Sequence, residues 1–382
     1  MNPTEFHSTE AGTVTLTREG YHAFLPAPLP PKLRYDDALV LALSKADTAL
    51  SELAGVGRTL PNPHLFIMPY VLREAVLSTR IEGTQAGVSD FLLDEVGEKT
   101  STQPADRQEV QNYIQAMEYG CKRLSDLPLS RRLVCEIHAH LLNGVRGKHS
   151  TPGEVRRSQN WIGGTSPADA VYVPPPIYEM DNALTLWESY LHERDKYPPL
   201  IQCALMHEHF ESIHPFLDGN GRIGRLLITL FLIERGRLTR PMLYLSAYIE
   251  ATKGQYYDCL QRIRTHGDWR SWLLYFLGGV TQAAADAARQ AGHLMDLWRD
   301  YEYRLRNEPR AHVLLPPLFA NPYMTVARAE KILRVSTPTA RKAVLALEAH
   351  GMLENVPQSP WRRLYMARPI LDSFEPAEVS GA

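Results

Sequence analysis

Residues 214–225, which read HPFLDGNGRIGR, carry the clearest chemical pattern in the sequence. Pro215 disfavours the α conformation for the residue before it, so an apolar helix that ends at Ile213 should release His214 into a loop. A histidine at such a position can reach substrate, and its ordinary pKa of about 6.5 suits it to accept a proton from a hydroxyl group near neutral pH. His214 is therefore the candidate general base.

The residues after the histidine favour a polyphosphate ligand. Asp218 offers the hard oxygen that Mg²⁺ prefers. The Gly219-Asn220-Gly221 turn permits positive φ values, through which successive backbone N–H groups can face an anion. A helix predicted to open at Arg222 would point its N-terminal donors at the same place.

Arg222 and Arg225 are three residues apart, so they share a face of that helix and could both contact phosphate oxygens. Each feature has an ordinary explanation when taken alone. A single histidine is usually structural, DGNG is usually a turn, and two arginines on a helix are usually a solvated face. Their order and spacing together favour a binding site.

The same twelve residues resemble the complete signature of the Fic-domain adenylyltransferases, and the similarity extends over residues ~60 to ~280. The resemblance implies ATP as substrate, Mg²⁺ as cofactor, and transfer of AMP to a Tyr, Ser or Thr hydroxyl of a protein target, the enzyme itself included. It implies that His214 activates that hydroxyl, that Asp218 binds the metal, and that Arg225 holds the γ-phosphate. The residues implied to bind the nucleotide are Phe216, Asp218, Gly219, Asn220, Gly221, Arg222 and Arg225.

The resemblance also favours one reaction over its relatives. The phosphate-transferring branch of the family departs from the GNGR core, which this chain keeps. Transfer of phosphocholine stays open, and so does removal of AMP in the reverse reaction. The alternative of a different class is a DNA-binding transcriptional regulator whose Fic core senses nucleotide without transferring it.

Residues 78–83, STRIEG, resemble the inhibitory helix pattern of the same family. Ser78 and Glu82 lie one helical turn apart, and Gly83 is a plausible breaker at the end of the helix. The resemblance implies that Glu82 restrains Arg225. The alternative is an ordinary surface glutamate at the end of a helix.

Tyr256 and Tyr257, within QYYDCL, are candidates for contact with the adenosine. They are equally well explained as core aromatics of an amphipathic helix. Many relatives carry Asn-Arg ahead of this pair, whereas this chain has Thr252-Lys253, which weakens the prediction of a base contact there.

The composition excludes several classes of protein. With 382 residues, 44% hydrophobic and 22% charged, the chain is typical of folded proteins rather than disordered, collagenous or membrane ones. A formal charge of −2 means that any DNA contact must come from a local basic patch. The N-terminus has no leader pattern, and no apolar run reaches ~18 residues, which predicts a cytoplasmic protein without membrane contact. The widely spaced cysteines, Cys121, Cys135, Cys203 and Cys259, are typical of a reducing compartment.

The hydrophobic pattern predicts a mainly α fold, with a Fic-type helical core, a β-hairpin flap and a C-terminal winged helix-turn-helix domain. Residues 160–162 and 171–173 are the predicted strands of the flap, which would align a target backbone by strand addition. Residues 97–107 are predicted to be a linker or loop. The predicted helices cover residues 36–53, 64–80, 109–124, 130–143, 180–193, 198–213, 222–235 and 254–266.

The C-terminal segment reads as helix, turn, helix and wing. Residues 337–351 would be the recognition helix, with the wing at residues 354–366. The segment could bind DNA or another protein. Its local basic set is Arg341, Lys342, Arg362 and Arg363, beside Thr339.

Three regions follow from this organisation. We expect an N-terminal helical region with the inhibitory motif at residues 1–100, a catalytic core at 101–305 and a winged-helix domain at 311–370. The identity of the target and the oligomeric state, including a homodimer, stay open.

Overall fold

The computed structural model describes residues 1–59, 63–98, 100, 102–144, 151–356 and 363–373. Within these residues the fold is mainly helical, as predicted. The helices are α1 (Asp37–Thr59), α2 (Pro63–Ile81), α3 (Val88–Glu95), α4 (Pro104–Arg123), α5 (Arg131–Leu141), α6 (Ile177–Leu191), α7 (Pro199–Ile213), α8 (Asn220–Glu234), α9 (Ser246–Ala251), α10 (Lys253–His266), α11 (Trp269–Arg304), α12 (Pro309–His312), α13 (Leu315–Ala320), α14 (Val326–Leu333), α15 (Thr337–Ala349) and α16 (Arg368–Leu371).

The α7–α8 pair lies at the centre of the fold and positions the loop between these helices. Every residue of α7 from Leu200 to Ile213 is buried, and so are most residues of α8. Two tryptophans of neighbouring helices donate hydrogen bonds from their indole N–H groups to backbone carbonyls of α7. Trp187 of α6 donates to Met206 and Trp272 of α11 donates to Ala204, each at 3.0 Å. The loop at residues 214–219 therefore starts and ends on rigid helices.

The longest helix, α11, has 36 residues and packs along α1. The sequence prediction contains no element over these residues. Small residues such as Ala284, Ala287 and Ala291 are buried along α11, and they allow close approach to neighbouring helices. No helix in the described part of the chain is long and apolar enough to cross a membrane.

The predicted flap strands do not form as strands. Residues 160–175, called the flap below, contain a single antiparallel bridge between Ile162 and Tyr172. Side-chain bonds to the loop at residues 214–219 and to α7 hold the flap instead. Asn160 Nδ2 donates to the carbonyls of His214 and Phe216 at 3.2 and 2.7 Å, and the Tyr172 hydroxyl donates to the Ser212 carbonyl at 2.6 Å. The flap leans on the helical core, as expected, without a regular ladder.

The strands lie elsewhere. β1 (Gly12–Leu16) and β2 (His22–Pro26) form an antiparallel hairpin that was not predicted. β3 (Tyr323–Thr325), β4 (Glu354–Val356) and β5 (Leu364–Met366) form an antiparallel sheet in the order β3-β5-β4. With α14 and α15 they follow the predicted order of helix, turn, helix and paired strands. Residues 357–362, which include Arg362, lie outside the described residues, and the winged-helix assignment stays a prediction.

The C-terminal unit packs against α3, the helix that follows the predicted inhibitory motif. Leu92 and Val96 share a buried cluster with Tyr323, Leu364 and Met366. Asn321 Nδ2 adds bonds to the Leu92 carbonyl at 2.9 Å and to a Glu95 carboxylate oxygen at 2.8 Å. The four cysteines are free thiols.

Gly120 of α4 lies where a side chain would collide with the core. A Cβ there would be 2.7 Å from Leu230 Cδ1 and 3.2 Å from Ile137 Cδ1, both buried. We expect Gly120→Ala to lower the free energy of unfolding by about 1–3 kcal/mol, because overpacking outweighs the gain in helix propensity. Gly55→Ala in α1 is the matched control, since a Cβ there meets nothing within 4 Å. It should raise the free energy of unfolding by about 0.4–1 kcal/mol in the same denaturant titration. A stabilised Gly120→Ala protein would contradict this packing of α4 on α8.

Candidate active site

The loop after α7 opens into a cleft of about 600 Å³, a size typical of ligand sites. Five parts of the chain surround it: the end of α7, the loop and first turns of α8, one face of α10, the flap, and the residue that follows α2. The lining includes His214, Asp218, Gly219, Asn220, Gly221 and Arg225 of the predicted motif, with Glu82, Tyr256 and Tyr257. Residues from the predicted motif and from the predicted inhibitory segment therefore meet in one cleft.

His214 terminates α7 in the left-handed conformation, at φ 50° and ψ 60°. A non-glycine residue in this region is under strain of about 1–3 kcal/mol and is typical of functional sites. Its Nδ1 lies 3.3 Å from the Glu211 carbonyl, which favours the tautomer with the proton on Nδ1 and leaves Nε2 as the basic nitrogen. Burial lowers the pKa of His214 to about 4, so its imidazole is neutral near pH 7.

Asn220 fixes the shape of the loop. Its Oδ1 accepts from the Phe216 backbone N–H at 2.9 Å, and its Nδ2 donates to the Phe216 carbonyl at 2.8 Å. The Phe216 ring is buried beneath the loop and stacks on His138, with ring centroids 3.8 Å apart. His138 Nε2 lies 3.0 Å from the Asp218 carbonyl. Phe216 thus supports the loop from below, and its side chain is not part of the cleft lining.

The helix after the loop begins at Asn220, two residues earlier than predicted. Gly219 precedes it with φ 81°, a left-handed conformation that glycine adopts without penalty. The side chain of Asp218, half exposed, accepts at Oδ1 from the Gly219 N–H at 2.6 Å and from Arg222 Nη2 at 3.2 Å. Arg222 also pairs with Glu109 at 3.0 Å. The N-terminus of α8 and a buried guanidinium therefore flank one carboxylate.

Arg225 is buried, and its hydrogen-bond acceptors come from α2. Its Nε donates to Ser78 Oγ at 2.9 Å, and its Nη2 donates to the Ser78 carbonyl at 2.9 Å and to Glu82 Oε1 at 2.7 Å. Burial alone would raise the pKa of Glu82, but the charge and hydrogen bond of Arg225 outweigh it and lower that pKa. Gly221 gives the pair room, since a Cβ there would be 2.4 Å from Glu82 Oε1. Gly83 follows with φ 109° and ends the helix.

Sequence reasoning missed several residues of the cleft. Glu211 lines it with a buried Oε1 that has no hydrogen-bond partner among the described residues, and burial raises the pKa of Glu211 to about 7. Arg264 also lines it, with its guanidinium carbon 3.9 Å from the centre of the Tyr172 ring and its Nε bonded to Ser212 Oγ at 2.9 Å. The spacing of Tyr257, Leu260 and Arg264 along α10 is the signal that could have found this face.

Tyr256 and Tyr257 differ in environment although both line the cleft. Tyr256 is buried, and its hydroxyl lies 2.9 Å from His207 Nε2. Tyr257 is 44% exposed, so its ring is accessible to a ligand. Thr252 and Lys253 contact protein groups: Thr252 Oγ1 lies 2.9 Å from the Tyr275 hydroxyl, and Lys253 Nζ donates to the Ile81 carbonyl at 2.6 Å. Lys253 therefore caps the end of α2.

Asp218 is the residue of the cleft best suited to a divalent cation. Its side chain is half exposed, lines the cleft and directly precedes the glycine turn at the start of α8. In the part of the chain that the structure describes, no three His, Cys, Asp or Glu side chains cluster as metal ligands. This donor set fits Mg²⁺, which commonly uses one or two carboxylates and takes its other ligands from phosphate and water.

Comparisons with known proteins agree with this geometry. Residues 40–122 match the Fic/DOC family N-terminal model and residues 128–232 match the Fic/DOC family model. A probable protein adenylyltransferase of Aquifex aeolicus is 28% identical over 47% of this chain and 55% of its own length. Protein adenylyltransferase Fic of Aedes aegypti is 31% identical over 40% of this chain and 28% of its own length. The chain thus spans about half or less of the curated relatives it matches.

Solved structures share the fold. A Fic family protein from Desulfovibrio desulfuricans G20 superposes with a TM-score of 0.58 at 20% identity, over 88% of this chain and 98% of that one. A Fic domain containing signaling protein from Bacteroides thetaiotaomicron superposes with a TM-score of 0.51 at 18% identity, over 67% and 95%. The helical framework around the cleft is therefore of the Fic type.

The two hydrogen bonds between Asn220 and the Phe216 backbone give a prediction about the loop. Asn220→Ala removes both bonds to the Phe216 backbone and leaves its buried N–H without this acceptor. We expect a loss of about 1–3 kcal/mol in the free energy of unfolding and faster hydrogen exchange at the Phe216 amide. If that amide stays equally protected, Asn220 does not hold the loop.

Proposed function

We propose that this chain, which carries a Fic domain, is a protein adenylyltransferase that moves AMP from ATP to a hydroxyl group of a protein, itself included. The observation that carries the proposal is the position of His214 at the exit of α7, in one cleft with a turn of backbone donors at the start of α8. A base next to a polyphosphate cradle supports transfer from a nucleotide to a hydroxyl. The named relatives support the adenylyl group as the one transferred.

In the proposed reaction, His214 Nε2 takes the proton of the target hydroxyl. The target oxygen then attacks the α-phosphorus, the bond from that phosphorus to the bridging oxygen breaks, and pyrophosphate leaves. Such transfers depend mainly on positioning and charge neutralisation. The amides of Gly219, Asn220 and Gly221 and the guanidinium of Arg222 would supply both at the α- and β-phosphates, and Arg225 would hold the γ-phosphate.

Asp218 would hold Mg²⁺, which when bound neutralises charge on the phosphate oxygens. Arg222 contacts the same carboxylate, so it would keep Asp218 oriented toward the phosphates. Tyr257 would contact the adenosine, with Tyr256 supporting it from behind.

The flap is the proposed docking edge for the target. Trp161 and Val171 are exposed on either side of the single bridge, so an extended segment could pair with this edge. Backbone pairing is tolerant of sequence, which leaves Tyr, Ser and Thr as candidate acceptors. We place the reaction in the cytoplasm, where ATP is available, and leave a homodimer as one assembly to test.

We further propose that the Glu82–Arg225 pair is autoinhibitory. Glu82 Oε1 lies 2.7 Å from Arg225 Nη2. It therefore pairs with the guanidinium group that the γ-phosphate would need. ATP could then bind only in a pose unsuited to attack on its α-phosphorus. Ser78 strengthens the restraint, because it accepts two further bonds from the same guanidinium.

The C-terminal unit supports a second candidate function, that of a DNA-binding regulator. Arg341 and Lys342 are exposed near the start of α15, where a recognition helix would contact phosphates. We propose residues 311–370 as this unit and residues 101–305 as the catalytic core. If the double variant Arg341→Ala/Lys342→Ala loses sequence-independent binding to DNA, the loss would support a DNA role. Unchanged binding to DNA by this variant would contradict that role.

Label from [α-³²P]ATP tests the proposed transfer. We expect the unaltered protein to label itself, and His214→Ala to lose at least the ~10² that a general base supplies. ATP binding by His214→Ala, measured by calorimetry, should persist because the phosphate-binding turn is untouched. Labelling of His214→Ala at the unaltered rate, or labelling by [γ-³²P]ATP instead, would contradict the mechanism.

Removing Glu82 tests the autoinhibition. Glu82→Gly should raise self-labelling by about tenfold or more, because Arg225 becomes available to the γ-phosphate. Glu82→Gln keeps the shape without the charge and should give a smaller rise. The double variant Glu82→Gly/His214→Ala should be silent. A folded Glu82→Gly protein that binds ATP but labels no faster would show that Glu82 exerts no restraint.

A further inference from the structure

A second cavity, of about 280 Å³, lies beside the inhibitory helix and outside the cleft. Tyr70, Arg73, Glu74 and Leu77 of α2 line it, and the rest of its wall comes from α9, α11 and the segment before α9. Glu74 and Tyr70 lie one and two helical turns before Ser78 on the same stripe of α2, and Arg73 and Leu77 lie beside that stripe. One helix therefore lines the cavity with its middle turns and contacts Arg225 from its C-terminal end.

Two hydrogen-bond donors at this cavity lack partners among the described residues. The Tyr70 hydroxyl is buried with no hydrogen-bond partner there, and Tyr70 as a whole is only 5% exposed. The half-buried Arg73 forms no hydrogen bond or ion pair in the same ranges; burial lowers its pKa, against the charges of Tyr70, Glu74, Asp286 and Glu250, which raise it. A buried donor without an acceptor costs stability, so a native fold rarely keeps one such as the Tyr70 hydroxyl without a reason. A ligand with an acceptor would satisfy both groups.

The carboxylates that line the same cavity already have partners. Glu74 accepts from the Ser246 hydroxyl and backbone N–H at 2.6 and 3.2 Å, and from the Tyr113 hydroxyl at 3.1 Å. Asp286 pairs with Arg289. The unmet need is therefore for an anion, and Arg binds carboxylates especially well through its planar fork.

The rest of the wall is largely apolar and small. It includes Leu77, Met242, Ala247, Ala251, Ala283 and Ala287. The volume falls just below the range of about 300–1,000 Å³ typical of drug-sized ligands, so a nucleotide is too large for it. The chemistry that fits is a compact apolar body with one carboxylate.

We propose that this cavity binds a small organic carboxylate and that its occupation holds α2 in the inhibitory position. The regulatory half rests on the proposed function. A movement of α2 that withdraws Glu82 from Arg225 would also withdraw Tyr70 and Arg73 from the cavity. The ligand thus binds the restrained state more tightly, and by linkage it must favour that state.

Binding is tested without any catalysis, with benzoate as the probe and benzamide as its uncharged match. Calorimetry on His214→Ala, which cannot transfer AMP, should give an affinity for benzoate at least about tenfold above that for benzamide. Arg73→Met should lose this preference and Arg73→Lys should keep part of it. Arg299→Met is the matched control, because it removes an exposed arginine of α11 that does not line the cavity. It should bind benzoate as the unaltered protein does.

Tyr70→Phe separates a ligand role from a structural one. Because the hydroxyl has no partner, its removal should leave the melting temperature of the free protein unchanged or raise it, while benzoate binding weakens severalfold. Equal affinity for benzoate and benzamide in the unaltered cavity, or unchanged benzoate binding by both Arg73→Met and Tyr70→Phe, overturns the site.

Regulation is tested by self-labelling with [α-³²P]ATP. Benzoate should reduce the labelling of the unaltered protein and leave that of Glu82→Gly unchanged, although Glu82→Gly still binds benzoate. Binding without any effect on the unaltered protein overturns the regulatory half alone. Absence of all labelling, with binding intact, contradicts the proposed transferase and leaves the binding site standing.

Discussion

The burial of the Arg225 guanidinium is the constraint on which the site depends. Its side chain is only 2% exposed, and a buried cation without partners would cost several kcal/mol. Ser78, in the last turn of α2, and Glu82, which directly follows that helix, satisfy it. A phosphate could replace the carboxylate in that position without leaving the cation unpaired. Under the proposed function, the contact that stabilises the free protein is thus the same contact that the γ-phosphate would displace.

Helix α2 is held by polar residues that are four positions apart. Glu74 and Ser78 lie on one face of α2, Glu82 continues this spacing directly after the helix, and together they contact two other elements. Glu74 binds Ser246 at the start of α9, while Ser78 and Glu82 bind Arg225 of α8. Burial raises the pKa of Glu74 to about 7, because the neighbouring residues exclude water from its carboxyl group. The position of α2 is therefore fixed by several buried bonds rather than by apolar packing alone.

The sequence predicted the parts of the site that depend on neighbouring residues. The helix exit at His214 follows from Pro215, and the turn at residues 219–221 follows from its glycines. The roles of Glu211 and Arg264 could not be predicted in this way, because their surroundings are built by α2, α7, α10 and the flap, which are distant in sequence. The flap failed as a hairpin for the same reason: bonds from Asn160 and Tyr172 to the core replace the ladder. Tertiary contacts overrode the local β pattern.

In this arrangement, any regulation of the cleft would act through the position of α2. Lys253 caps the C-terminal end of the helix at the Ile81 carbonyl, and Arg80 pairs with Glu250 beside it. The C-terminal unit contacts the following helix, α3, through Asn321. Under the proposed autoinhibition, an event at any of these places would change the access of Arg225 to phosphate only by altering the free-energy difference between docked and withdrawn α2. A partner bound to the C-terminal unit and a ligand beside α2 would then act on one equilibrium, so their effects on catalysis should combine rather than remain independent.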